Sequence, residues 1–127
     1  MATIELTDTS FAETINSAAM VIVDFWAPWC GPCRSFAPVY EQMSEKYPGI
    51  VFAKVNTEQE QALAGHFQIR SIPTLMIFRE QIIIFMQPGA LPGAALEQII
   101  EKANTLDMDQ VRREIAEQQQ SPRPESA

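Results

Sequence analysis

Cys30 and Cys33 are the only cysteines in a chain of 127 residues, and they are separated by Gly31-Pro32. If a helix begins at this segment, its partial positive charge and unpaired N–H groups favour a thiolate at Cys30. Such a thiolate attacks a disulfide to form a mixed disulfide. A second thiol about one helical turn away then displaces the reduced product. Pro32 suits a first helical turn, where its missing N–H has no partner to lose. The pair cannot by itself be the disulfide framework of a small secreted domain. Zinc binding is the competing chemistry, but a closed site takes four ligands and the chain offers two Cys and one His. Redox chemistry is therefore the expectation, with a metal shared between subunits as the remaining alternative.

Asp24 is the one polar residue in the apolar run Met20-Val21-Ile22-Val23-Asp24-Phe25-Trp26. A lone carboxylate there is costly to ionise, so its pKa should be raised, which suits a group that accepts the Cys33 proton. The alternative is a structural Asp whose oxygens are satisfied by water or backbone. His66, the only histidine, falls at the end of a helical stretch far along the chain from the cysteines and reads as a surface residue.

The elements that must position these groups alternate between strand and helix. Residues 3–6 read as a short strand, and Ser10-Phe11-Ala12-Glu13 has capping-box spacing ahead of a helix toward Ala18. The Met20 run, closed by Pro28, reads as a strand buried on both faces. Phe36, Val39, Tyr40 and Met43 recur at helical spacing over residues 33–47, with Pro38 inside the helix, before Pro48-Gly49 ends it. Residues 50–55 form the next buried strand, and Thr57-Glu58-Gln59-Glu60 repeats the capping-box pattern ahead of a helix through Phe67. This alternation implies parallel β-α-β wiring. Residues 74–78 and 82–86 suggest a hairpin, but Arg79-Glu80-Gln81 contains no Gly or Asn, which leaves its register open. Leu96, Ile99 and Ile100 give one more helical stripe ending near Ala103. Residues 105–120 read as an appended helix carrying Met108, Val111 and Ile115 on one side, and residues 121–127 as a disordered polar tail.

Composition narrows the function. One domain of this length with 46% apolar residues can build a single core. A net charge of −7 without Lys/Arg clusters argues against nucleic-acid binding. Apolar runs fall short of the ~20 residues that span a bilayer, so no membrane association is expected. The first ten residues do not look like an export signal, and the expectation is a soluble cytoplasmic protein that begins here.

The segment Val23-Asp24-Phe25-Trp26-Ala27-Pro28-Trp29-Cys30-Gly31-Pro32-Cys33-Arg34 resembles the active site of the thioredoxin family. The likeness continues through Ala37-Pro38, Lys54-Val55-Asn56, Ile69-Arg70-Ser71-Ile72-Pro73-Thr74 and Gly89-Ala90, covering residues 1–103 in order. It implies an α/β thioredoxin fold, with a central mixed five-stranded sheet flanked by helices on both faces, and here an extra C-terminal helix. The division is then residues 1–104, 105–120 and 121–127. It implies a protein-disulfide reductase with Cys30 as the exposed nucleophile, Cys33 as the buried resolving thiol and Asp24 as the proton acceptor. Trp29, Gly31, Pro32, Ile72, Pro73, Gly89 and Ala90 match the family's substrate surface, with a cis bond before Pro73. Trp26 and Lys54 match supporting residues. No bound cofactor is implied, only a redox-active Cys30–Cys33 disulfide recycled by a thioredoxin reductase that uses FAD and NADPH. The implied partners are disulfide-containing proteins and that reductase.

Three departures temper the likeness. Arg79-Glu80-Gln81 replaces the family's Lys-Asn-Gly-like turn, Ser71 stands where Gly is common, and Pro88 stands where a β-branched residue is common. The appended helix is expected to fold back on its own domain in a monomer; docking to a second subunit or a client is the alternative. Two rival functions follow: a redox partner dedicated to one client, or a binding or chaperone-like module acting through that helix.

Overall fold

The computed structural model describes residues 2–120 and has five strands and five helices. In chain order these are β1 (Thr3–Glu5), α1 (Phe11–Ser17), β2 (Met20–Trp26), α2 (Gly31–Lys46), β3 (Val51–Asn56), α3 (Gln61–His66), β4 (Thr74–Arg79), β5 (Ile82–Pro88), α4 (Gly93–Thr105) and α5 (Met108–Gln120). The strands form one sheet in the order β1-β3-β2-β4-β5. β1 and β2 run parallel to β3, β4 runs antiparallel to β2, and β5 runs antiparallel to β4. This is the mixed, two-sided sheet that the alternating pattern and the resemblance implied.

β2 is apolar at every position but Asp24 because it is central and covered on both sides. Alternate residues serve different cores. Met20 and Ile22 join Phe36, Tyr40, Phe52, Leu75, Leu96 and Ile100 on the side of α2 and α4. Val21, Val23 and Phe25 join Phe11, Ile15, Val55 and Met76 on the side of α1 and α3. The period of two therefore places Asp24 on the α2 side. Tyr40, fully buried, sets its hydroxyl 3.0 Å from the Ile22 carbonyl and 2.8 Å from the Ala53 carbonyl, so one side chain ties α2 to both β2 and β3.

Neither expected capping box forms. Ser10 precedes α1 without capping it; its Oγ accepts the Thr7 N–H at 2.9 Å. Thr57 is likewise used elsewhere. Its N–H and hydroxyl both donate to the Trp26 carbonyl, at 2.8 and 3.0 Å, while Asn56 Oδ1 accepts from the Glu58 and Gln59 N–H groups. The result is an Asx turn that holds the end of β3 against the end of β2, and α3 starts only at Gln61. In both places a short side chain satisfied a nearby backbone group before the helix could use it.

The β4–β5 hairpin closes through Glu80 and Gln81, both at positive φ (51° and 71°). That pair is the mark of a mirror-image two-residue turn, normally built from Asn and Gly. A register shift follows at Ile77/Phe78, so Ile77 pairs with Phe85 while Phe78 pairs with Ile83. Glu80 is held by Arg112 of α5, which also pairs with Asp109, and Arg79 donates to the Ala103 carbonyl at the end of α4. α5 itself is capped by Asp107, whose Oδ1 accepts the Gln110 N–H at 3.2 Å. Its first turn buries Met108; Val111 and Ile115 are half-buried. The appended helix thus lies against its own domain at the hairpin turn. The polar tail expected over residues 121–127 lies outside the described residues.

A non-glycine residue in the left-handed region costs about 1–2 kcal/mol. Gln81 makes no side-chain hydrogen bond or ion pair there among the described residues, whereas Glu80 is paired with Arg112. Gln81→Gly should therefore stabilise the protein by about 1 kcal/mol. A higher urea midpoint at unchanged m-value is the expected reading; an unchanged or lower midpoint refutes the strain.

Candidate active site

The Cys30–Cys33 pair sits where β2 ends and α2 begins, in the form of a disulfide with Cα atoms 5.2 Å apart. Cys30 is the N-cap of α2, with extended backbone (φ −84°, ψ 114°), and its Sγ accepts the Cys33 N–H at 3.2 Å. A sulfur thus takes the place usually held by a Ser or Asp oxygen at a helix start. Negative charge on it would face the free N–H groups of the first turn and the positive end of the helix. Gly31 and Pro32 are the first two helical residues, so α2 starts before the residues 33–47 span that periodicity marked out.

Cys30 is only 5% exposed and Cys33 3%, packed with Ala27, Trp26 and Ile72. The resemblance implied an exposed nucleophile; in this oxidised pair Cys30 shows only a narrow edge. Cys30 Sγ lies 3.7 Å from the Ile72 carbonyl. The Ile72–Pro73 bond is cis. The Gly89 N–H donates to the Pro73 carbonyl at 2.7 Å, and Gly89 has φ +101°, a conformation that strains any L side chain. β4–β5 pairing thereby brings Gly89 and Ala90, both exposed, to the cis-proline loop. Trp29 is the most exposed large apolar residue at 63%, and its Nε1 donates to Glu58 in the loop after β3. Arg34 donates to the Pro28 carbonyl at 3.1 Å, bracing the turn into the helix. Pro32 is exposed beside Cys30.

Asp24 is 1% exposed, and its Oδ1 has no hydrogen-bond partner among the described residues. Desolvation raises its pKa from 3.8 to about 7, against the opposing pull of Lys54 and with a smaller push from Glu5. Lys54 is its register partner on β3, and Glu5 is the register partner of Lys54 on β1. The three therefore form one row across the α2 side of the sheet. Lys54 is half-buried with Nζ 4.5 Å from the centre of the Trp26 ring, a cation–π contact. Trp26 Nε1 is buried and makes no hydrogen bond of normal geometry among the described residues, but it lies near enough to Glu5 to favour the ionised form of that carboxyl.

α2 folds back antiparallel to β2, with Tyr40 at the level of Ile22. Cys33 lies seven residues earlier in the helix. That is about 10 Å, or roughly three strand residues further along β2. The Cys33 sulfur and Asp24 accordingly lie in the same buried layer between β2 and the first turn of α2.

The site gathers every residue singled out from the sequence except His66. That residue is exposed at the end of α3, its ring edge-on to Phe67 at 4.8 Å, facing the groove between α1 and α3. Sequence reading missed Glu5, Glu58 and Tyr40. Glu58 is one acid in a polar loop, and Glu5 one acid on a short strand; only the strand register and the Asx turn give them their positions. Among the described residues no group of three or more His, Cys, Asp or Glu could hold a metal ion, and no helix is long and apolar enough to cross a membrane.

Comparison with known proteins agrees with this geometry. The sequence profile of the thioredoxin family matches residues 2–102. The chain is 56% identical to a protein named putative thioredoxin 2 of Streptomyces coelicolor, over 92% of this chain and 87% of that one. Coverage that wide runs on into α5. It is 47% identical to thioredoxin 1 of a Nostoc species, over 77% of this chain and 94% of that one. Among solved structures, Plasmodium falciparum thioredoxin superposes with a TM-score of 0.73 at 36% identity, covering 79% of this chain and 97% of that one.

Because the folded-state pKa of Asp24 lies above its value of 3.8 in an unfolded chain, its contribution to stability is complete below about pH 4 and is lost as pH rises through about 7. The oxidised wild type should lose on the order of 4 kcal/mol relative to Asp24→Asn between pH 4 and pH 8. Urea denaturation at both pH values measures the difference, and a gap that stays constant would show that Asp24 does not titrate in the fold.

Proposed function

We propose, from the premise that this chain belongs to the thioredoxin family and exchanges thiols for disulfides in other proteins, a division of labour within its site. Cys30 is the nucleophile, Cys33 the resolving thiol and Asp24 the base that serves Cys33. The observation that carries the proposal is the N-cap position of Cys30, whose sulfur receives the Cys33 N–H at the start of α2.

In the dithiol form the Cys30 thiolate attacks one sulfur of a target disulfide. A Cys30–target bond forms, the target S–S bond breaks, and the departing sulfur leaves as a thiolate that takes a proton from solvent. Ionised Asp24 then accepts the Cys33 proton. The Cys33 thiolate attacks Cys30 Sγ, the mixed disulfide breaks, and the second target sulfur leaves. Two electrons have passed to the target, and the chain is left with the Cys30–Cys33 disulfide.

The target strand is received by the surface around Cys30. Trp29, Gly31 and Pro32 form one side of it and Ile72, Pro73, Gly89 and Ala90 the other. On this reading the Ile72 carbonyl beside the sulfur pairs with an extended target backbone, a recognition mode that reads main chain and tolerates varied side chains. Trp26 and Lys54 support Asp24 from below. The chain works as a monomer in the cytoplasm, where a disulfide reductant has its thermodynamic use. A thioredoxin reductase carrying FAD returns the disulfide to dithiol at the expense of NADPH. The unit comprises residues 1–104 with 105–120 appended.

Insulin reduction with dithiothreitol tests the cycle. Cys30→Ser should abolish it. Cys33→Ser should instead accumulate a mixed disulfide with insulin chains, visible on non-reducing gels. Turnover equal to wild type in either variant refutes the assignment. Because Asp24 acts as a base, release of a preformed mixed disulfide should accelerate with pH around a midpoint near 7. Asp24→Asn should slow that release about 10²-fold at neutral pH. NADPH oxidation coupled through a thioredoxin reductase checks the recycling step.

A further inference from the structure

The row Glu5–Lys54–Asp24 places an acidic residue on either side of one lysine. Register partners on parallel strands project to the same face, and neighbouring strands are about 4.8 Å apart, so the backbone positions of the two acids are separated by about 10 Å with Lys54 between them. Lys54 cannot settle fully on Asp24. Its Nζ sits over the Trp26 ring, 4.5 Å from the centre, and no carboxylate closes to salt-bridge distance on it among the described residues. Glu5 is the exposed member of the row and Asp24 the buried one.

We propose that Glu5 is a positioning residue for proton transfer: from the sheet edge it draws Lys54 away from Asp24 and thereby sets how strongly the buried carboxyl holds the Cys33 proton. The inference rests on the reading of Asp24 as the base for Cys33. Its logic is a competition. A cation bound wholly by Asp24 would keep that carboxyl ionised and make it a weak base. A cation shared with a second anion leaves Asp24 near the balance point where it both takes and gives up a proton at neutral pH.

The charged and titratable groups around Asp24 are few. Lys54 faces it from β3 and Glu5 from β1, and Tyr40 and Cys33 from α2; its neighbour on β4, Leu75, carries no charge. Glu60, ahead of α3, acts on Glu5 in the same sense as Asp24 would. Desolvation raises the pKa of Glu5, with Lys54 and then the Trp26 side chain opposing, and the Lys54 field on Asp24 and the Glu5 push on it are both present. Removing the Glu5 charge should therefore strengthen the hold of Lys54 on Asp24 and lower the pH at which Asp24 ionises.

Aspartate carboxyl carbons labelled with ¹³C report this directly. The chain has four aspartates, and Asp24→Asn identifies the Asp24 signal. In the oxidised full-length protein at low salt, Glu5→Gln should lower the Asp24 midpoint by about 0.3 to 1 pH unit, as expected for a charge about 10 Å away. Glu5→Lys should lower it further, Glu5→Asp should leave it near wild type, and 0.5 M NaCl should shrink the differences. The pH profile of mixed-disulfide release should move by the same amount. An unmoved Asp24 midpoint in Glu5→Gln and Glu5→Lys overturns the role of Glu5 while leaving Asp24 as the base. Equal shifts in Glu5→Asp and Glu5→Gln also overturn it, since packing and not charge would then be responsible. A midpoint that moves while the release profile stays put overturns it through its premise, because Asp24 would not be the group that serves Cys33.

Discussion

The whole site depends on one sulfur being the cap of one helix. Cys30 stands between a strand that is buried on both faces and a helix whose first N–H groups have no internal partners. Neither neighbour can shift without losing core contacts, so the sulfur is fixed at the positive end of α2 by packing made well away from it. Tyr40 is the clearest instance: two turns into α2, it fastens the helix to the carbonyls of both β2 and β3. The second cysteine is then placed by helix geometry alone.

The opposite requirement governs the proton. In the proposed cycle, anion stabilisation at Cys30 needs exposed dipoles, whereas Asp24 as a base near neutral pH needs to be dry. The alternation of β2 meets both needs within a few residues, because it turns Asp24 inward beneath the start of the helix that carries Cys30 at its mouth. The buried Asp24 carboxylate weakens the fold as pH rises through about 7, and the buried Trp26 Nε1, without a hydrogen bond of normal geometry among the described residues, adds a cost at every pH. Local rules of satisfied burial are broken at the functional centre and kept elsewhere in the core.

Much of this was legible in the sequence, for identifiable reasons. The apolar run of β2, the helical spacing of Phe36, Tyr40 and Met43, and the cysteine pair are strong local signals, and the family likeness supplied the cis-proline loop that composition alone could not. Legibility failed where a side chain had a choice of backbone partners. Ser10 and Thr57 have the right neighbours for capping boxes, yet each is taken by a closer N–H or carbonyl. It failed again at Glu80 and Gln81, where the hairpin adopts a glycine-type turn without glycine, one end of it pinned by Arg112. The place of Glu5 beside Lys54 and Asp24 was invisible for a different reason. It is a matter of register between three strands distant in sequence, and no window along the chain contains it.

β5 forms one margin of the sheet, and from Ile82 to Met86 that margin is wholly apolar. A straight ribbon of this kind would be a template for strands of other molecules and hence for fibrous self-assembly. The displaced residue opposite Ile77/Phe78 breaks the even spacing of its outward amides, and Pro88 ends the strand with a position that has no N–H to offer. Irregularity at this margin therefore guards the colloidal solubility of a protein whose outermost strand is otherwise built like an interior one.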